Sequence, residues 1–412
     1  MTEFYISNLM IDYPNHQFHQ RSLLKQLNIL ITVLFSLTIV SQLQAAGELR
    51  RPFQGIRNLG MGNVGVAMSH DENALFYNPA GLAAVDTTLV NIPFQAEFSN
   101  DAQTLVSEAS GLAGKSTSEI LTSYLGKEVH LRIMFPNLSV VIPFGFMTFG
   151  VVGGTETTID FSVSNPASIQ MDFGMRLDQI YNAGLGFSLA RGKWLVGFNV
   201  EQYSRCDVPI ATISQAALLA GGNLGDTVET CSAAKLRKGT TYGFGFQQRM
   251  TSFSTLRLTW GFAARNVGGL KFSRNSGETN PVDQKPEYSL GISSMLFDSF
   301  VFRNFYEIDY RDITYDHVED PYCNANKNSS DCNMKRLHFG TEFGFWPIDS
   351  TASAVAIRLG WNQGYVSKGL EWNPFIFFKA ATIQYAEYKA ETGNAAGDKP
   401  ESRKVIQFNI GF

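Results

Sequence analysis

Few residues in this chain stand at a spacing that could do chemistry. Gly60-Met61-Gly62-Asn63-Val64-Gly65 has the glycine spacing of a dinucleotide loop, and Asp86 follows about where a ribose-binding acid would. That loop works only between a buried strand and a helix. Glu48 to Asn58 is too polar for the strand, and Pro79 interrupts the unit that should follow, so the motif is not read as a nucleotide site. The six histidines are His16, His19, His70, His130, His317 and His338, and they form no HExxH or other metal-ligand spacing. His70-Asp71-Glu72 reads as a solvated turn. There is no GxSxG, and His338 has no serine partner legible in the sequence. The expectation is no enzyme, no cofactor and no metal. Cys206, Cys231, Cys323 and Cys332 lack the close pairs that zinc needs. In an exported chain they should be oxidised. Of three connectivities, Cys206–Cys231 with Cys323–Cys332 closes one loop each.

Export is expected from the N-terminal segment. Leu27 to Val40 is a run of 14 apolar or small residues, preceded by Arg21 and Lys25 and followed by Ala45, Ala46 and Gly47. It is shorter than the ~20 residues of a spanning helix. Basic, apolar and small-residue regions in that order are those of a signal peptide, expected over 1–46, with cleavage between Ala45 and Gly47. The region before it is long for a signal peptide, and Met10 is an alternative start.

The elements that must position these residues alternate with period two. In Leu256-Arg257-Leu258-Thr259-Trp260-Gly261-Phe262-Ala263 the large apolar residues take every second place. Leu337 to Phe345 and Val355 to Trp361 repeat the pattern. The 412 residues are 17% charged and 13% aromatic, with 32 Phe and 15 Tyr. Mean hydropathy is only −0.07. Charge this sparse with hydropathy this moderate fits a wall that alternates lipid-facing and lumen-facing residues. A net charge of −4 leaves no footprint for nucleic acid. A soluble sandwich would also alternate, but here long and short connections take turns along the chain, as in an outer-membrane barrel. The spacing predicts fourteen antiparallel strands, at roughly 88–99, 131–144, 147–163, 177–191, 194–206, 239–250, 255–267, 287–296, 299–312, 335–346, 353–362, 367–378, 380–390 and 404–412. Short helices are expected at Ser116 to Leu125 and Ser214 to Leu219. Both disulfides fall in long, hence external, loops.

By parity, Arg303, Glu307, Asp309 and Arg311 share the lumen face of one strand, and Arg257, Arg265, Glu342 and Arg358 face inward from others. Such groups either pack barrel and plug as ion pairs or, as Arg257, Arg303, Arg311 and Arg358, anchor a ligand carboxylate. The chain ends with Ile406, Phe408, Ile410 and Phe412 alternating. A closing strand of this kind must pair with the first, because an open edge in lipid leaves backbone groups unsatisfied.

Between signal peptide and strand one, residues 47–87 are rich in Gly and Ala, which pack closely. Arg57-Asn58-Leu59-Gly60-Met61-Gly62, Gly65-Val66-Ala67 and Asn78-Pro79-Ala80-Gly81-Leu82-Ala83 resemble the N-terminal hatch of the FadL/TodX superfamily. The resemblance is close over about thirty residues and general beyond them. It implies an all-β fold: a transmembrane antiparallel barrel of fourteen strands over 88–412, with a hatch over 47–87 inside the lumen. It also implies passive uptake of hydrophobic compounds such as long-chain fatty acids or aromatic hydrocarbons across the outer membrane. The partners would be the lipid bilayer, a hydrophobic ligand, and the barrel-assembly machinery that reads the Phe412 strand. PorV-like and TraF-type relatives share the Asn-Pro-Ala signature and need not transport, so a docking or assembly role stays open. Gly60, Gly62, Gly65, Asn78, Pro79 and Ala80 would hold the hatch. On the residues alone, Asn78-Pro79 fits an ordinary turn equally well. In that family a kinked third strand opens the wall to lipid, and Gly150, Gly153 and Gly154 are the candidate kink here.

Overall fold

The computed structural model describes residues 53–112, 119, 122–164, 170–214, 231, 235–250, 256–275, 280–314, 323, 325–326, 328–348, 352–375, 381–391 and 400–411. The signal-peptide segment, Phe412, and residues 116–118, 120–121 and 215–219 of the two expected short helices lie outside them; Ser214 ends a strand. Among the described residues no helix is long and apolar enough to cross a membrane.

Fourteen antiparallel strands close into one barrel in sequence order. They are β1 (Leu89–Ser99), β2 (Glu128–Phe144), β3 (Met147–Ser164), β4 (Gln170–Leu189), β5 (Trp194–Ser214), β6 (Arg237–Arg249), β7 (Thr259–Phe272), β8 (Glu287–Ser294), β9 (Phe302–Tyr310), β10 (Leu337–Pro347), β11 (Ser353–Asn362), β12 (Tyr365–Trp372), β13 (Ala381–Glu391) and β14 (Pro400–Gly411). Closure is the pairing of β1 with β14, from Asn91 opposite Gly411 to Ser99 opposite Arg403. Along β14, Ile406, Phe408 and Ile410 turn outward while Arg403, Val405 and Gln407 turn in and are buried. The outer wall carries a broad apolar band: Phe94, Tyr181, Phe198, Leu290, Ile357 and Phe408 are all exposed. With no water in hydrocarbon, only a closed sheet leaves such a wall without orphaned backbone groups.

One end of the barrel carries the start of β1, the end of β14 and short turns such as 145–146. It is ringed by exposed Phe144, Phe146, Trp194, Phe300, Trp346 and Trp372. Such a belt marks a membrane interface. The other end carries the longer connections, with two exceptions to the expected rhythm. β3 and β4 are joined by only 165–169, because β4 begins seven residues before the expected 177. β11 and β12 are joined by Gln363-Gly364 alone, both with positive φ (52° and 97°), so two residues reverse the chain. β12 then ends at Trp372, which puts 373–380 at the short-turn end. The barrel is uneven in height, from 20 and 21 residues in β4 and β5 to 8 in β8 and β12. About 9–11 suffice to span hydrocarbon, so β4 and β5 project at the long-loop end. There α1 (Asn100–Leu112) follows β1 directly.

Two expectations are corrected here. Arg257 is not on a lumen strand: β7 starts at Thr259, and Arg257 sits in the preceding turn with φ 42°, its side chain half exposed. The kink is not in β3 either. The β3–β4 ladder runs without a break from Met147 to Ser164. The irregularity lies across from it in β2, between Met134 and Asn137. Gly150 leaves room for Leu82, Gly154 for the side chain of Asn137, and Gly153 for Tyr181 on the outside.

Both disulfides form, Cys206–Cys231 and Cys323–Cys332, with Cα separations of 5.7 and 5.5 Å. The first joins the projecting part of β5 to the following loop. The second ties Cys332 of α2 (Ser330–Arg336), a helix capped by the Ser329 hydroxyl, to the loop before it. Unreduced protein unfolded in denaturant should therefore take up no thiol reagent; a stoichiometric label would contradict the pairing. Removing either bond by Cys→Ser pairs should lower unfolding stability by about 2–4 kcal/mol, read from denaturant midpoints in detergent.

Candidate functional site

The lumen is filled by residues 53–85. Their sequence leaves little regular structure: α3 (Ile56–Gly60), α4 (Ala74–Tyr77) and a 3-10 turn (Pro79–Ala84) are each a turn or two long. What fixes the segment is side chain to backbone bonding. Asn78, fully buried, accepts from the Ala80 N–H (3.1 Å) and donates to the carbonyls of Val66 (2.6 Å) and of Phe246 and Phe262 on β6 and β7 (3.3 and 3.2 Å). Asn78 thus caps the 3-10 turn and ties it to the wall, while Pro79, at the first helical position, gives up an N–H that would be orphaned there anyway. Gly62 has φ +71° and donates to Ser367 Oγ of β12 (2.8 Å).

The wall receives this segment at glycines. A Cβ at Gly197 of β5 would lie 2.1 Å from the Pro79 carbonyl carbon, and one at Gly245 of β6 1.9 Å from Asn78 Oδ1. Gly186 meets Ala83, Gly261 meets Val66, Gly340 meets Met61 and Gly360 meets Gly62 at comparably forbidden separations. Backbone touches backbone along β4 to β7 and again along β10 to β12. Gly60 lies against Gly369 of β12, and Gly65 against Ser69 and Asn58. Ala80 is fully buried.

Carboxylates complete the grip. Asp309 accepts from the Gly65 and Val66 N–H groups (2.8 and 3.1 Å), and Glu307 from Ala67 (2.6 Å). Arg311 donates to the Asn63 carbonyl (2.7 Å) and His338 Nδ1 to that of Gly62 (2.8 Å). Arg57 forks onto Glu342 with two bonds of 2.9 Å. Arg358 bonds Glu342 (2.6 Å) and also Glu371. Arg311 and Arg358 are therefore committed to the hatch and to buried glutamates. Arg303 pairs with Asp298 (3.0 Å), as does Arg257 (2.7 Å), at the short-turn end. The four arginines do not converge on one ligand head, and the ion-pair reading of the lumen is the one that the geometry supports. Elsewhere Arg205 forks onto Asp178 and His130 bridges Glu97 and Asp160.

The opposite sector of the lumen holds, among its own buried charges, an apolar cluster. One buried cluster runs from Leu270 and Phe272, at the long-loop end of β7, through Tyr203 and Ile180 to Phe53, Leu75 and Phe76 of the hatch. It continues to Met134, Val152 and Leu89 beside β1, β2 and β3. It ends next to a cavity of 90 Å³ bordered by Phe53, Pro93, Ser139 and Val152. On that side the β1–β2 register slips between Asn91 and Gln95, where Pro93 offers no N–H. Of the residues singled out in the sequence, Gly60 to Gly65 and Asn78 to Ala80 lie buried within the barrel, with Glu307, Asp309, Arg311, Glu342 and Arg358 turned inward. Sequence reasoning missed the wall glycines as hatch contacts, and Asn182 and Asn199, which both hold the Leu75 carbonyl (2.9 and 3.0 Å). Glycine at inward parity in successive strands was the signal available for the first.

No family model matches the chain, and no curated protein matches it. Among solved structures it is similar to the toluene transporter TbuX of Ralstonia pickettii (13% identity, 87% of this chain and 98% of that one, TM-score 0.46). It is also similar to the toluene transporter TodX of Pseudomonas putida (11%, 89% and 98%, 0.46) and to a Pseudomonas aeruginosa FadL homologue (10%, 89% and 99%, 0.46).

Asp309→Ala leaves the N–H groups of Gly65 and Val66 without an acceptor, at about 1–3 kcal/mol each. Its expected signature is a lower unfolding midpoint together with a rise in single-channel conductance in planar bilayers. Unchanged conductance would mean that the hatch is held without it. Burial, then the charges of Arg249 and Arg57, push the His70 imidazole in the hatch down to about 3. An unfolded histidine titrates near 6.5, so between those values the unfolded chain binds the extra proton. The contribution of neutral His70 is whole above pH 6.5 and is lost as pH falls towards 3. His70→Gln should flatten the fall of melting temperature across that window; parallel curves for variant and parent would contradict this.

Proposed function

We propose that this protein is an outer-membrane channel for passive uptake of hydrophobic compounds, of the class that includes long-chain fatty acids and aromatic hydrocarbons. The observation that carries the reading is the continuous apolar strip through an otherwise charged lumen, from the long-loop end to the irregular β1–β2 seam. A polar-solute porin has no use for such a strip and would be blocked by the hatch. An apolar solute, by contrast, exchanges one apolar surface for another along it and meets no desolvation barrier of its own. Uptake then requires Phe53, Phe76 and their neighbours to give way, with the long-loop end outside the cell and the short-turn end in the periplasm. The β1–β2 seam is the natural place for release into lipid, in place of a kinked β3. The Gly60–Gly62–Gly65 and Asn78–Pro79–Ala80 contacts hold the hatch at rest.

A second reading, a docking or assembly barrel without transport, draws on the other sector. The Arg57–Glu342–Arg358–Glu371 network seals that half of the lumen with buried ion pairs, which suits a rigid platform as well as a channel.

Whole-cell uptake of radiolabelled oleate and toluene separates the two, using cells that lack their own hydrophobic-compound channels. The parent protein should raise uptake several-fold over empty cells, and Ile180→Arg, which sets a charge in the strip, should abolish the gain. Ile180→Trp serves as the milder block should the first variant lose its heat-modifiable gel mobility. Uptake no better than empty cells, from a correctly folded parent, would leave the docking reading standing.

A further inference from the structure

A second and larger cavity, of about 560 Å³, lies at the short-turn end on the far side of the hatch. Its apolar surface comes from Met68 and Phe305, which belong to a buried cluster separate from the apolar strip, from Met295 packed against that cluster, and from Ala84, Met250 and Leu258. Methionine and phenylalanine give a surface that adapts to an unbranched chain or a ring. The volume is that of a small-ligand pocket.

The polar side of this cavity is cationic. Arg249, Arg257 and Arg303 line it, and Asp298 is the single carboxylate among its lining residues. Asp298 already serves two of them, Arg257 at 2.7 Å and Arg303 at 3.0 Å. Arg249 has no carboxylate partner among the described residues, and residues 251–255, Thr-Ser-Phe-Ser-Thr, contain no acid that could supply one. Its own N–H is bonded to the carbonyl of Lys193 (2.9 Å), which brings the 190–193 turn, with Arg191 and Lys193, alongside. Three guanidiniums therefore face one carboxylate across an apolar floor, with further cations next to them. Arg249 and Arg257, both exposed, connect this arrangement to solvent.

We propose that this cavity binds an anionic amphiphile, with the apolar body on Met68, Met295 and Phe305 and the carboxylate or phosphate head on Arg249. The guanidinium fork matches either head with two parallel donors. The head can come from two sources, a free amphiphile or an anionic lipid of the adjoining leaflet. The site does not rest on the uptake reading, because it shares no apolar cluster with the strip.

The test is calorimetric titration of the full-length protein in phosphatidylcholine nanodiscs with octanoate, and with 1-octanol as the uncharged probe of equal length. Octanoate should bind at least about tenfold more tightly than octanol, roughly the worth of one charge-assisted hydrogen bond. Arg249→Gln should remove that advantage, Arg249→Lys should restore part of it, and Ile180→Arg should leave it intact. Exchanging a third of the lipid for phosphatidylglycerol distinguishes the sources. Weakened octanoate binding identifies the lipid headgroup as the occupant, and unchanged binding identifies the free amphiphile; both uphold the site. Equal affinities for octanoate and octanol, or no effect of Arg249→Gln in a variant with parental gel mobility, would overturn it. Loss of octanoate binding in Ile180→Arg would place the ligand in the strip instead and overturn it as well.

Discussion

Backbone contact between hatch and wall is the constraint on which the rest of this structure depends. A plug of about thirty residues has too few turns of helix to hold its own shape, so its form is imposed by the barrel around it. That is feasible only where the wall offers no side chains. Gly197 against Pro79 and Gly245 against Asn78 show the tolerance, since a single Cβ at either place would overlap the partner. Close approach also orphans backbone N–H groups, and the barrel answers with acceptors placed at the same depth: Asp309 and Glu307 for the turn at 65–67, Ser367 for Gly62.

From this follows a division of the lumen into two sectors. On the side of β9 to β12, charges meet the hatch and one another, and each buried carboxylate named there is matched by a guanidinium or by backbone N–H groups. On the side of β1 to β7, beside the hydrogen bonds of Asn78, Asn182 and Asn199, aromatic and aliphatic groups of the hatch meet those of the wall. Such contacts are non-directional and can be exchanged for contacts with an apolar solute at little cost, whereas the fork between Arg57 and Glu342 cannot. The charged anchors are concentrated on the β9–β12 side, and the contacts free to exchange with an apolar solute are those of Phe53, Leu75 and Phe76 on the other. The β1–β2 seam, where ladder pairing lapses around Pro93, lies there too. The cationic cavity at the short-turn end is bordered by residues of β6 to β9 and meets the hatch at Met68, His70 and Ala84.

The fold was legible in the sequence because a barrel wall has period two and tolerates no exceptions in lipid. Thr259 to Ala263 and Ile406 to Ile410 alternate for that reason, and fourteen strands, the closing strand and both disulfides could be read without coordinates. Strand ends were less legible. Beyond the membrane a strand can stay paired or stop, and nothing in the pattern of β4 or β5 says which; cross-strand partners decided it. The tight turn at Gln363-Gly364 was missed since any polar pair can be a loop, and only the pairing of β11 with β12 demands positive φ there. Local pattern also carried the hatch motif, through the capping chemistry of Asn78-Pro79 and the spacing of its glycines. Which arginines are spent on neighbours and which remain available is a matter of three-dimensional distance. Parity put Arg257, Arg303, Arg311 and Arg358 on one list, and only the tertiary structure separated them, because an ion pair forms between residues that the barrel brings together across strands and not between residues that the chain places in series.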